Sequence, residues 1–272
     1  MKKRIPTIIL TLVFLIGLGL LLYPTVSDWW NERHQSRAIS SYAADVAQLD
    51  NDVYQQIWAD ARAWNEKVYQ NGWGLKLPEE ETENYEAVLN VSGSGVMAYI
   101  EIPKINCSLP IYHGTEEGVL QTSIGHIEGS SLPVGGLSTH CVLSGHRGLP
   151  SAKLFTDLDK LVVGDTFLLH TLDETLTYEV DQILIVLPHE VSALAIEEGK
   201  DYCTLVTCTP YGINSHRMLV RGHRIDTVEE GQKIRVPGDA MQLESSTIAP
   251  LVAAPILLLL LVLLLVKTRR KK

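Results

Sequence analysis

Two uncharged apolar runs bracket the chain, and between them the hydrophobic period changes from helical to strand-like. Residues 7–23 follow Met1-Lys2-Lys3-Arg4 and contain no charged side chain. Residues 248–266 form a second run, almost all Leu, Val and Ile after Pro255, followed by Lys267-Thr268-Arg269-Arg270-Lys271-Lys272. A helix needs ~20 apolar residues to cross a bilayer. Both runs therefore predict transmembrane helices. Residues 31–70 carry Ile39, Tyr42, Val46, Leu49, Val53, Ile57, Ala61, Trp64 and Val68 at steps of three or four. That period predicts a long amphipathic helix stopped by Asn71-Gly72. The step drifts from a strict heptad beyond Val53, which favours packing on a following domain over a coiled coil.

The period breaks between residues 72 and 95, where Pro78-Glu79-Glu80-Glu81-Thr82-Glu83 reads as an acidic loop. From 96 to 225 the pattern becomes short alternating stretches separated by Gly, Pro and Asp. Strands are expected at 97–102, 140–144, 166–170, 175–180 and 182–187. Many short strands with such turns predict a closed or nearly closed β-barrel. Residues 226–247 read as a polar stalk. The expected organisation is a basic end and anchor (1–30), a helical segment (31–95), a barrel (96–225), the stalk, and a second span with a basic tail (248–272).

Charge orients this arrangement. The formal net charge is −9, yet Lys2, Lys3, Arg4, Lys267, Arg269, Arg270, Lys271 and Lys272 all lie in the two tails, which hold no acids. The positive-inside rule puts both termini in the cytoplasm and the middle outside. That middle is more acidic than the whole chain, which argues against nucleic acid. No small-x-small cleavage site follows the first run at Leu22-Tyr23-Pro24-Thr25-Val26-Ser27-Asp28, so the run reads as an uncleaved anchor.

The chemistry concentrates near one cysteine. Cys208 ends a Thr- and Val-rich stretch, Thr204-Leu205-Val206-Thr207-Cys208, before Pro210 and Gly212. Arg217 opens the next strand-like stretch, so an antiparallel hairpin would set the two opposite each other at its mouth. A cation beside a thiol favours thiolate and stabilises an oxyanion formed by its attack on a carbonyl. Such a nucleophile needs a base, which need not be near in sequence. Of nine His, His146 is the best placed, just past an apolar strand in Leu143-Ser144-Gly145-His146-Arg147-Gly148. His126 and His140 remain rivals on spacing alone. Cys107, Cys141 and Cys203 read as core cysteines, and Arg221 as an ordinary surface cation further from the turn. The cysteine spacings fit no common zinc pattern, so no metal or cofactor is expected. A disulfide between Cys107 and Cys141 is disfavoured.

These residues resemble sortases. The segments Leu143-Ser144-Gly145-His146-Arg147-Gly148-Leu149-Pro150 and Thr204-Leu205-Val206-Thr207-Cys208-Thr209-Pro210-Tyr211-Gly212-Ile213-Asn214-Ser215-His216-Arg217 carry the likeness. So do Ile102-Pro103-Lys104-Ile105-Asn106 and Leu154-Phe155-Thr156-Asp157-Leu158-Asp159-Lys160-Leu161. The match is strongest to class C, the pilin-polymerising sortases of Gram-positive bacteria. The resemblance implies a mainly β fold, an eight-stranded barrel with short helices. It also implies Cys208 as nucleophile, His146 as proton-transfer partner and Arg217 as oxyanion-stabilising cation. The implied substrate is a pilin or surface protein with a Leu-Pro-x-Thr-Gly-like (LPXTG) signal, and the acceptor a Lys amine of a second pilin. A peptidoglycan-precursor amine is the alternative acceptor, and a non-catalytic binding barrel the alternative of another class. Class C members commonly carry an Asp-Pro-aromatic lid in the region of residues 72–95. This chain has no such tripeptide, and Trp73 or Tyr85 could plug the cleft instead.

Overall fold

The computed structural model describes residues 5–72, 75–227, 253–257 and 261. Most of the second apolar run, and the stalk before it beyond residue 227, lie outside the described residues. The first forms the start of α1 (Ile5–Val46), which is long and apolar enough to cross a membrane.

The expected single helix over residues 31–70 is two. Helix α1 ends at Val46 and α2 (Asn51–Asn71) begins after Asp50, whose carboxylate accepts hydrogen bonds from Asp52 N and Val53 N at 2.9 and 3.0 Å. An N-cap that satisfies two orphan N–H groups competes with continuing the helix. The apolar steps run through the break in phase and hide it. Gly72, in the left-handed region, ends α2 as expected. Its N–H donates to Val68 O.

The buried face of α2 is Trp58, Ala61, Trp64, Asn65 and Val68, whereas Val53 is exposed. Polar side chains fix both helices to the barrel. The Tyr42 hydroxyl donates to Met97 O at 3.0 Å and accepts from Leu172 N at 2.7 Å. The Asn65 amide grips the Leu132 backbone on both sides, accepting from its N–H at 2.7 Å and donating to its carbonyl. Residues from Asn31 through the barrel accordingly form one compact unit.

The barrel has eight strands: β1 (Val96–Ile102), β2 (Cys107–His113), β3 (Ile124–His126), β4 (Thr139–Ser144), β5 (Thr166–Thr171), β6 (Glu174–Val186), β7 (Asp201–Thr209) and β8 (His216–Ile225). They close in the order β1-β2-β3-β4-β7-β8-β6-β5. Pairing is antiparallel except for β2–β3 and β4–β7. The two stretches expected at 175–180 and 182–187 are one strand, β6, whose register slips between Val180 and Gln182. A bulge at Asp181 interrupts the alternation without ending the strand. Alternate residues of the strands, including Ile100, Ile111, Leu143, Phe167, Leu205 and Val220, are fully buried in the core.

Candidate active site

The central feature is a parallel pair, β4 and β7, flanked by β8. Register pairs Ser144 with Val206, and Gly145 N continues it by donating to Val206 O at 3.0 Å. Two residues past that last pair on each segment stand His146 and Cys208. Across the β7–β8 hairpin, Cys208 is the direct partner of Arg217. The three residues singled out from sequence thus converge on one end of the barrel. All three side chains are partly exposed. No hydrogen bond joins His146 to Cys208 among the described residues.

The His146 loop is tightly specified. The Thr207 hydroxyl donates to Gly145 O at 2.7 Å, and Phe155 N donates to His146 O at 3.1 Å. A Cβ on Gly145 would lie 2.7 Å from Phe155 and 2.8 Å from Ile124. Gly148, at φ +77°, takes a conformation other residues rarely adopt, and its N–H donates to Thr156 Oγ1 at 3.1 Å. Arg217 Nη1 donates to Asn214 O and His216 O at 3.2 and 3.1 Å. Its Nε and Nη2 have no protein acceptor among the described residues, so one edge of the guanidinium is left open.

Next to these residues lies an apolar floor. Val206 shares the face of Cys208 and Leu219 that of Arg217. With Val142 and with Leu194 from the short turn Ser192–Leu194 they form a separate cluster outside the main core. Leu75, from the segment after α2, packs on this cluster with Ile127, Leu184 and Val186. Nothing in the sequence pattern singled out Leu75. Trp73 lies outside the described residues. Tyr85, on α3 (Thr82–Ala87), is buried elsewhere. Its hydroxyl contacts His126 Nδ1 at 2.9 Å and accepts from Gly114 N at 2.9 Å.

The rival histidines are occupied. His126 is fully buried, its Nε2 2.8 Å from Ser131 O and 3.0 Å from Ser130 Oγ. His140 is also buried, with Nδ1 2.8 Å from Ala195 O and Nε2 2.7 Å from Thr204 Oγ1. Burial holds its pKa below the usual value. His126 lies against the fully buried Cys141 thiol, and His140 is held by Ala195 O and Thr204 Oγ1, so both rings are already engaged inside the fold.

All four cysteines are free thiols. Cys141 and Cys203 are register partners inside the barrel, and burial pushes the Cys203 thiol far up. Burial likewise pushes Cys107 up to about 12. Thiolate is what attacks carbonyls, so neither Cys107 nor Cys203 suits a nucleophile. Burial would raise Cys141 too, but its contacts with Cys203 and His126 bring it down to about 6; it lies inside the barrel, closed to a peptide substrate.

Arg221 is not the ordinary surface cation the spacing suggested. Its Nε and Nη2 bind both Asp181 oxygens at 3.0 and 2.9 Å, and it lies over the Tyr202 ring. The β6 bulge supplies that carboxylate, a partner too remote in sequence to foresee.

Known proteins share this architecture. The sortase domain family model matches residues 100–225. The chain is 30% identical to sortase D of Bacillus subtilis, over 58% of this chain and 78% of that protein. Sortase C1 of Streptococcus agalactiae superposes with a TM-score of 0.68 at 53% identity, covering 71% of this chain and all of that one. Sortase C of Clostridium perfringens, solved with a C-terminal cell wall sorting motif, gives 0.62 at 42% identity, over 70% of this chain and 99% of that one. This chain belongs to the sortase family, the cysteine transpeptidases, and its structural neighbours are class C sortases.

Proposed function

We propose that Cys208, His146 and Arg217 carry out transpeptidation on proteins bearing an LPXTG-like sorting signal. The observation that carries this reading is the direct pairing of Cys208 with Arg217, beside the neighbouring strand β4 that His146 follows. The Cys208 thiolate attacks the Thr carbonyl, and the resulting oxyanion lies against the open edge of Arg217. As the Thr–Gly bond breaks, His146 gives its proton to the departing amine. A thioester remains on Cys208. An incoming amine attacks it, losing a proton to His146, and the thiolate departs as the new amide forms. The apolar floor of Val142, Val206, Leu219 and Leu194 suits an aliphatic side chain of the signal.

The acceptor in this reading is a Lys side chain of another pilin, so repeated cycles build a covalent polymer. Identities of 41–53% to class C sortases support that acceptor over a peptidoglycan precursor. The enzyme is held in the membrane by residues 7–23 and 248–266, with both termini cytoplasmic. The experiment is incubation of the full chain with a Leu-Pro-Glu-Thr-Gly peptide, followed by intact mass. A thioester adduct lost in Cys208→Ala is expected. An adduct that survives that substitution would move the nucleophile elsewhere.

A further inference from the structure

His146 and Cys208 sit on separate chain segments, and backbone pairing between those segments stops at Gly145 and Val206. Past that point the two reacting side chains depend on something else for alignment. Arg147, the residue after His146, spans the gap. Its Nη1 donates to Thr209 Oγ1 at 3.4 Å, one residue past Cys208. Its Nη2 forms an ion pair with Asp159 Oδ2, from the short turn Leu158–Lys160. The guanidinium therefore ties the His146 loop, the Cys208 strand end and a third element together.

Stability alone is a poor explanation for this arrangement. The Arg147 side chain is only 10% exposed, and its Nε is buried with no partner among the described residues. Burying a cation with an unmet donor costs free energy, and a buried ion pair is weak evidence of net stabilisation. A planar fork can hold two acceptors at fixed angles, which an ammonium cannot. Small misplacements of reacting groups lower turnover steeply.

We propose that Arg147 is a positioning residue for the transpeptidation, oriented by Asp159, which sets His146 against Cys208. This inference rests on the proposed roles of His146 and Cys208. It goes beyond them in making the rate depend on a carboxylate that touches neither substrate nor thiol.

The test uses the full chain in detergent micelles and a quenched Leu-Pro-Glu-Thr-Gly peptide. Asp159→Asn should lower kcat by about tenfold while KM stays within about twofold, because the peptide's binding surface is untouched. Asp159→Glu, which keeps the charge, should recover at least half of the lost rate. Arg147→Lys should stay near the Asp159→Asn level. The number of thiols titrated by iodoacetamide should match wild type in every variant. A purely structural role would instead lower the melting temperature and leave kcat per titrated thiol unchanged, and that outcome would overturn the proposal. Equal kcat in Asp159→Asn and wild type would overturn it too. A wild type that forms no thioester is a different result: it removes the reading of Cys208 and His146, and this inference with it.

Discussion

Cys208 and Arg217 are register partners at the open end of the β7–β8 hairpin, each one residue from the last pair, Thr209 with His216. Directly opposed antiparallel residues hold their Cβ atoms ~5 Å apart on one face of the sheet. The ladder therefore delivers a cation to the thiol without any dedicated loop. The remaining donors of that cation stay open because local carbonyls occupy only Nη1. Two arginines on one face of β8 thus have opposite fates. Arg217 is held by one nitrogen, whereas Arg221 is clamped through Nε and Nη2.

Arg217→Lys should lower peptide turnover by ~10²-fold, the scale of losing one oxyanion-hole donor. Alkylation of Cys208 by iodoacetamide generates no oxyanion and should stay near normal. Equal losses in both assays would mean that Arg217 acts on the thiol instead. Arg221→Lys should leave turnover largely intact but lower the melting temperature, since it breaks the paired contact with Asp181.

Cys208→Ala and His146→Ala should each abolish transpeptidation with little change in thermal unfolding, because both side chains are partly exposed and lack hydrogen-bond partners among the described residues. His140→Ala should do the reverse. It strands Ala195 O and Thr204 Oγ1, a loss of about 1–3 kcal/mol. An inactive but stable His140→Ala protein beside an active His146→Ala protein would reassign the base.

Gly145→Ala should destabilise the fold by about 1–3 kcal/mol through overpacking against Phe155 and Ile124. It should also reduce turnover of the folded fraction, because relief of the clash displaces the neighbouring His146. Unchanged turnover per titrated thiol would show that the loop absorbs the methyl group without moving the ring.

Stability should fall as pH drops below about 6.5. Burial lowers the pKa of His140, His113 and His170 from their ordinary 6.5. Below that value the unfolded chain binds protons that these folded rings refuse, so acid favours unfolding. The window runs from 6.5 down to the lowered folded values. Urea midpoints measured at pH 7.5 and pH 5.5 should differ, and His140→Gln should narrow the difference. A midpoint that does not change between the two would contradict neutral buried rings.

Much of the barrel was legible in the residues themselves. Alternation and turn clusters announced strands within a residue or two of β1, β4 and β5. Cys208 and Arg217 could be paired because only a six-residue loop separates β7 from β8. Such local information survives in sequence because hairpin register follows from short connections. The start of α2 was also present, in Asp50 ahead of Asn51-Asp52, but the in-phase apolar stripe concealed it.

What the chain alone determined was therefore a set of local facts: an apolar N-terminal helix, a helical segment stopped at Gly72, short strands, and a Cys–Arg hairpin followed by its likeness to sortases. Only the tertiary structure decided among the histidines. His126 and His140 lose their claim because carbonyls and hydroxyls, from the adjoining loop and from remote segments, consume their ring nitrogens. His146 and Cys208 each lie two residues past the last pair of the parallel strands β4 and β7, whose residues are some sixty apart in sequence. A parallel pair has no hairpin to fix its register, so nothing nearby in the chain encodes it. The same holds for Asp181 beneath Arg221 and Leu75 on the apolar floor. Each contact joins segments whose nearness exists only after the barrel has closed.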